Sequence, residues 1–321
     1  MNAVSHEEKP RVLAVLGPTA SGKTALGVEL AKALDGEVIS CDSMQIYEGL
    51  DIATAKPTQE EMQGIPHHLI SILPRTQRFS VAEYAALANA KIAEVTSRGR
   101  LPILVGGTGL YADAVLSGMQ FEAEDGDPAV RGMLYQRLEA EGAQALYHEL
   151  CQRDPEAAEK IHPNNTVRLI RALEVCIRTG GTFTDYKRRN ADHPAPYDSM
   201  ILGLEWDREV LYSRIDRRVD IMLGQGLLEE VRQARDPAMQ TSAAAIGYKE
   251  LLPYLDGEAP LEDCIAQIKQ ESRRYAKRQL TWFRRNAQIH WLKMCETDEV
   301  QKFLKNAQKT IAKNKNLWYN G

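Results

Sequence analysis

The sequence predicts an α/β fold, a parallel sheet flanked by helices and interrupted by a helical insertion. Three observations carry this. An apolar strand, RVLAVL at residues 11–16, runs into a glycine-rich turn and then a helix. Further buried-type strands alternate with helical spacing up to residue 118, the pattern of a parallel sheet covered on both faces. From residue 127 to about 189 the strand signal vanishes and helical stretches are broken only by Asp154-Pro155 and His162-Pro163.

The elements follow in order. Residues 25–34 place Leu26, Leu30 and Leu34 on one helical face. EVISC at 37–41 reads as a second strand, and 69–73 as a third. Residues 80–96 form a helix that opens on a capping box, Ser80 with Glu83. LPILV at 101–105 is a buried strand that ends at Gly106-Gly107. MILGLEW at 200–206 returns to strand character. Helices follow at 208–223, 227–234, 261–286 and 298–313. The expected organisation is a core of residues 1–117 and 200–321 with the insertion at 118–199.

Gly17, Pro18, Thr19, Ala20, Ser21, Gly22, Lys23 and Thr24 satisfy G-x-x-x-x-G-K-[ST] in full, between a strand and a helix. The sheet is therefore expected to be P-loop NTPase-like. Glycines let the backbone form a nest of N–H groups for phosphate oxygens. Lys23 would neutralise charge, the Thr24 hydroxyl would ligate Mg2+, and the helix N-terminus adds its dipole. The motif implies a phosphorylated ligand, nucleotides such as ATP included, without choosing one.

Asp42 directly follows the second strand. Ligand crevices of open parallel sheets lie beyond the carboxyl ends of the strands, so Asp42 is expected to face whatever Lys23 holds. It could act as a general base, help to hold magnesium, or only cap a turn with Ser43. The run Gly106-Gly107-Thr108-Gly109 is expected at the same edge. Its glycines would allow close approach of backbone to ligand. Thr108 would contact a ligand or simply cap the next helix.

Lys and Arg total 40 against 44 Asp and Glu, a net charge of −4, so any anionic partner must be met by local patches. Between residues 165 and 190 there are six basic and two acidic residues, with Arg168, Arg171 and Arg178 near whole helical turns. A second stripe carries Arg274, Arg278 and Arg285, interleaved with Tyr275 and Trp282. Such stripes can track a nucleic-acid backbone and stack bases, or be solvated helix faces. The lysines at 302, 305, 309 and 313 fit a solvated face.

Taken together, GPTASGKT at 17–24, DSMQIY at 42–47, DIATAKP at 51–57, GGTGLY at 106–111, IHPNN at 161–165 with RLIRALEV at 168–175, AIGYKE at 245–250 and RRYAKRQLTWFRR at 273–285 resemble the bacterial tRNA dimethylallyltransferase (tRNA isopentenyltransferase) family. The resemblance spans nearly the whole chain in the family's order. It implies transfer of a dimethylallyl group from dimethylallyl diphosphate to the exocyclic amine of the adenine just 3′ of the tRNA anticodon. It implies that residues 19–24 hold diphosphate without hydrolysing ATP, that Asp42 is the general base, and that Thr108 lies beside the reaction centre. It further implies that an arginine after the 200–206 strand reaches the diphosphate, best matched by Arg218, with Arg217 adjacent. Asp42, Ser43, Met44 and Gln45, with Thr108, match tRNA contacts, as do Val167, Arg168, Leu169, Ile170 and Arg171. Arg274 and Arg278 are added to these from the basic stripe. Glu48, Ala53 and Ala244 depart from the family's usual residues.

Composition sets the remaining bounds. No apolar stretch is long enough to span a bilayer, and residues 1–10 lack the apolar segment of a secretory signal. The five cysteines form no C-x-x-C pair and fit a reducing compartment. A cytoplasmic enzyme, monomeric by default and with no obligate protein partner, is expected. A P-loop small-molecule kinase, or an isopentenyltransferase acting on free adenine nucleotides, would share the core motifs. A non-catalytic nucleic-acid-binding module would need neither an intact P-loop nor Asp42.

Overall fold

The computed structural model describes residues 9–119, 126–191, 193–239, 241–295 and 300–313. One compact unit comprises residues 1–116 and 196–321, the other residues 117–195.

The larger unit holds β1 (Arg11–Leu16), α1 (Lys23–Ala33), β2 (Gly36–Cys41), α2 (Gln59–Met62), β3 (His67–His68), α3 (Val81–Ser97), β4 (Leu101–Gly106) and α4 (Gly109–Leu116). The smaller unit holds α5 (Pro128–Glu141), α6 (Ala143–Arg153), α7 (Pro155–Lys160), α8 (Thr166–Thr179) and α9 (Phe183–Ala191). The larger unit resumes with β5 (Asp198–Glu205), α10 (Arg208–Gly224), α11 (Leu227–Ala234), α12 (Leu252–Leu255), α13 (Leu261–Phe283), β6 (Ile289–Lys293) and α14 (Val300–Lys313).

The six strands are parallel in the order β3-β2-β4-β1-β5-β6. Register decides where the chemistry sits. Gly106, the last residue of β4, pairs with Leu16 of β1 on one side and Cys41 of β2 on the other. The loops at 17–22, 42–45 and 107–108 therefore leave the same edge of the sheet from adjacent strands. The strands β1, β2, β4 and β5 are largely apolar runs, as burial on both faces requires. Leu13, Val15, Val38, Ile103 and Leu202 pack with Leu26 and Leu30 of α1. Each such buried side chain contributes about 1.5–3 kcal/mol.

Two strands differ from expectation. Residues 69–73 are not a strand, because Leu69 and Ser71 take left-handed φ values of 60° and 50°, which break an extended run; pairing is confined to His67–His68. The edge strand β6 carries no clear sequence signal, since His290 and Lys293 are exposed and Trp291 partly so. The Ser80–Glu83 capping box is present in both directions, at 3.2 and 2.7 Å. Residue 298, the expected start of the last helix, lies outside the described residues, and α14 is described from Val300. Among the described residues, no helix is long and apolar enough to cross a membrane.

The smaller unit has its own core of Leu134, Leu146, Leu150, Leu169, Ile170 and Leu173. Beside it lies the fully buried carboxylate of Glu174, which accepts from Asp127 N (2.9 Å), Arg131 (2.9 Å) and Arg171 (3.1 Å). A buried charge is tolerable when it is paired and hydrogen-bonded in this way.

Candidate active site

The turn after β1 winds through left-handed Ala20 (φ 62°) and Gly22 (φ 87°) before α1 begins at Lys23. Its outward carbonyls are pinned. Trp206 Nε1 donates to Ser21 O and Arg214 Nε to Ala20 O, both at 3.0 Å, while the Arg214 guanidinium lies 4.2 Å from the Trp206 ring centroid. The first N–H groups of α1 have no partner within the helix. They open the helix at Lys23 and Thr24, where an anion is favoured.

Not every cradle residue has the part expected of it. The Thr19 N–H is given to Gln279 Oε1 at 2.9 Å, and the Ser21 hydroxyl is buried without a hydrogen-bond partner. A Cβ on Gly17 would meet that hydroxyl at 2.8 Å, so glycine is required there for packing.

Lys23 Nζ donates to Pro18 O at 3.2 Å. Burial, together with the Arg218 charge, lowers its pKa to about 8, although Asp42 opposes the shift. Burial likewise lowers the pKa of Arg218, which feels the Asp42 charge. Arg217 and Arg218 both line the cavity described below, but Arg218 is the arginine whose charge acts on Lys23.

Asp42 Oδ1 accepts from Met44 N at 2.9 Å and Gln45 N at 3.4 Å. The turn-capping role is therefore real for one oxygen, and it holds the carboxylate in place. Ser43 N donates to Thr108 Oγ1 at 3.0 Å, Thr108 Oγ1 donates to Ser43 Oγ at 3.4 Å, and Thr108 N donates to Cys41 O at 3.1 Å. The Thr108 hydroxyl is thus engaged with the 42–45 turn. The neighbouring Cys41 thiol is pushed up to about 12 by burial, which removes it as a competing base.

The glycines at 106, 107 and 109 are required by close packing of the protein. A Cβ would meet Cys41 O at 1.9 Å from Gly106, Gln279 Nε2 at 2.2 Å from Gly107, and the Trp282 ring at 2.2 Å from Gly109. Protein fills that space. Gln279 Nε2 donates to Gly107 O at 2.9 Å, and Trp282 Nε1 donates to Asp113 Oδ2 at 2.8 Å. Tyr275, Gln279 and Trp282 recur at one-turn spacing on α13, where Gln279 and Trp282 brace the site loops and Tyr275 lines the cavity described below.

Lys23, Thr24, Asp42, Arg218, Tyr275 and Arg278 share one cavity of about 830 Å³. Residues 51–58 form a further wall. The Glu230 carboxylate of α11 holds it, accepting from Asp51 N (2.8 Å), Ile52 N (2.7 Å) and Ala53 N (2.9 Å). Gln45 braces the same wall. Its amide donates to Thr54 O (3.4 Å) and Ala55 O (3.2 Å), and its oxygen accepts from Ser40 (2.9 Å). Ala244 lines the cavity, and so does Ala53.

The basic stripes also need sorting. Val167 and Arg168 are exposed, Val167 at 67%, but Leu169 and Ile170 are core residues of the smaller unit and offer no side-chain surface to RNA. Arg171 pairs with Glu174 and lies 5.8 Å from the Tyr186 ring centroid. Arg274 is ion-paired with Glu271 at 2.6 Å, whereas Arg278 lies over Tyr275 and lines the cavity. Sequence reasoning missed Arg214, Glu230 and Gln279. Gln279 has a usable signal, a polar residue on the inner face of an amphipathic helix. Glu230 has none.

A parallel sheet whose loop at 17–24 shares a large cavity with the Asp42 carboxylate defines a P-loop NTPase-like α/β core. Comparison with known proteins narrows the class. A family model described as IPP transferase matches residues 45–286. A tRNA dimethylallyltransferase of Bacillus subtilis (strain 168) is 49% identical over 288 residues, covering 89% of this chain and 91% of that one. The full-length tRNA isopentenylpyrophosphate transferase of Bacillus halodurans is similar in structure, with a TM-score of 0.71 at 47% identity over 95% of this chain and 96% of that chain. A eukaryotic dimethylallyltransferase described as acting on tRNA has a TM-score of 0.81 at 30% identity, over 94% of this chain and 80% of that one. The chain belongs to the IPP transferase family.

Proposed function

We propose that this chain transfers a dimethylallyl group from dimethylallyl diphosphate to the exocyclic amine of the adenine 3′-adjacent to a tRNA anticodon, releasing diphosphate. The observation that carries the reading is one cavity in which Lys23 and Arg218 share an electrostatic neighbourhood with the carboxylate of Asp42. The activity itself comes from the family and from the names of its members.

An adenine amine is a poor nucleophile because its lone pair is delocalised into the ring. Asp42 takes the amine proton as the carbon–nitrogen bond forms, help typically worth ~10²–10⁴-fold. The carbon–oxygen bond to diphosphate breaks, and Lys23, Arg218 and the opening N–H groups of α1 stabilise the departing charge. Thr108 holds the Asp42 turn. Magnesium, when bound, would add Lewis-acid stabilisation of the leaving diphosphate. Thr24 lines the cavity and would offer a hard oxygen donor of the kind it prefers. Among the described residues, no group of three or more acidic, histidine or cysteine side chains could hold a metal ion. Diphosphate oxygens would therefore complete the coordination shell, as is usual for magnesium. The enzyme is read as a cytoplasmic monomer.

The test is incubation with labelled dimethylallyl diphosphate and either unmodified tRNA, free AMP or free ATP. Label should enter tRNA only, and added ATP should release no phosphate. Labelled AMP would favour the free-nucleotide enzyme, and stoichiometric ATP hydrolysis would favour a kinase-like reaction.

A further inference from the structure

One side chain joins the two halves of the site. Gln279, 5% exposed, reaches from α13 between two loops. Its oxygen accepts from Thr19 N of the phosphate loop, and its nitrogen donates to Gly107 O of the loop after β4, each at 2.9 Å. Gly107 has no side chain, and a Cβ there would sit 2.2 Å from the Gln279 nitrogen. The adjacent Thr108 carries the Ser43 N–H and hence the turn that presents Asp42. A chain of hydrogen bonds thus runs from the donor cradle through Gln279 to the base.

We propose that Gln279 is a positioning residue that sets the spacing between the phosphate cradle and the Asp42–Thr108 side of the site, the gap across which the prenyl group passes. The inference rests on the proposed reaction. Group transfer depends steeply on that gap, and a shift of about 1 Å can cost 10²-fold in rate. Both polar ends of the amide are already engaged by the two loops, so its loss is expected to alter alignment more than affinity. A glutamine is required because one end must accept and the other must donate. An ionised glutamate would still accept from Thr19 N but would set an anion against Gly107 O. A protonated glutamate restores the donor, and burial raises a carboxyl pKa.

The experiment compares Gln279→Met and Gln279→Glu with the wild-type enzyme, after melting curves confirm folding. For Gln279→Met, kcat for prenyl transfer to tRNA should fall by about tenfold or more, with KM for dimethylallyl diphosphate and for tRNA within about threefold. For Gln279→Glu, the activity ratio to wild type should rise as pH falls from about 8.5 to about 5.5. Residue-resolved amide exchange should be faster at Thr19 in the Met variant. A folded Met variant with wild-type kcat, or a Glu variant with a flat ratio, would overturn the proposal. If the wild-type enzyme itself transfers nothing to tRNA, the proposed function fails first. Thr19 exchange then decides the bridge: unchanged exchange in the Met variant sinks it, and faster exchange upholds it.

Discussion

Thr108 and Ser43 lie 65 residues apart in the chain, yet the Ser43 N–H donates to the Thr108 hydroxyl oxygen at 3.0 Å. The contact exists because β2 and β4 are neighbours in register, with Cys41 opposite Gly106. It fixes the turn that carries Asp42, so the acceptor side of the site is built by strand order. The donor side is built by the loop after β1, and Gln279 ties the two together.

Asp42 does two things, which substitution can separate. Asparagine keeps an oxygen for Met44 N and Gln45 N but cannot take a proton. Asp42→Asn should therefore lower the single-turnover rate by about 10²-fold or more, with tRNA affinity and melting temperature close to wild type. A near-normal rate in that variant would remove Asp42 from the role of base.

Lys23 predicts a pH dependence. Its pKa is about 8 because burial and Arg218 disfavour its charge. A bound diphosphate would favour the charged form, so the protonated lysine is the binding species. Affinity for dimethylallyl diphosphate should hold below pH 8 and fall as pH rises above it. Binding near pH 8.5 should take up a proton, seen as a buffer-dependent enthalpy in calorimetry. Affinity that stays flat through this range would contradict the role of Lys23.

The cationic surfaces predict salt dependence. Arg168 is exposed on α8 and Arg278 lines the cavity on α13, while Arg171 and Arg274 are already ion-paired. Replacing Arg168 and Arg278 with Ala together should weaken tRNA binding and flatten its log–log salt slope by roughly 0.7–0.9 per lost phosphate contact. Affinity for dimethylallyl diphosphate should barely change. Arg274→Ala should have the smaller effect. An unchanged slope in the double variant would make both residues ordinary solvated charges.

Glu230 predicts a defect transmitted through a wall. Its carboxylate takes three consecutive backbone N–H groups at 51–53. Glu230→Ala leaves them without that acceptor, and unsatisfied donors cost about 1–3 kcal/mol where they are buried. Chemical denaturation should show a loss toward the lower end of that range, because Asp51 is exposed. KM for substrate should rise more than kcat falls. Unaltered stability and KM would show that the wall holds without the carboxylate.

Much of this was legible along the chain. The strand–loop–helix at 11–34, the strand at 37–41 that ends on Asp42, the capping box at Ser80 and the helical insertion all follow from local periodicity and short-range motifs. Such signals survive in a sequence because they concern residues a few positions apart. The phosphate loop is of the same kind, the position of Asp42 at the carboxyl end of a parallel strand set it opposite Lys23, and family resemblance supplied its role as base.

What lay beyond reach is long-range. That Leu169 and Ile170 face a core while Val167 and Arg168 face solvent depends on which side of α8 its neighbours cover. That 106–109 is glycine-rich because Cys41, Gln279 and Trp282 crowd it depends on how closely β2 and α13 pack on the β4 loop. That β3 is two residues long depends on left-handed Leu69 and Ser71. The sequence by itself determined the parallel α/β plan, the phosphate loop and the carboxylate at the end of the second strand. Only the tertiary structure decided which polar groups would be consumed in holding that plan together. A hydrogen bond between residues 260 positions apart, such as Thr19 with Gln279, leaves no periodic trace in the chain and exists only once the sheet order and helix packing bring the two together.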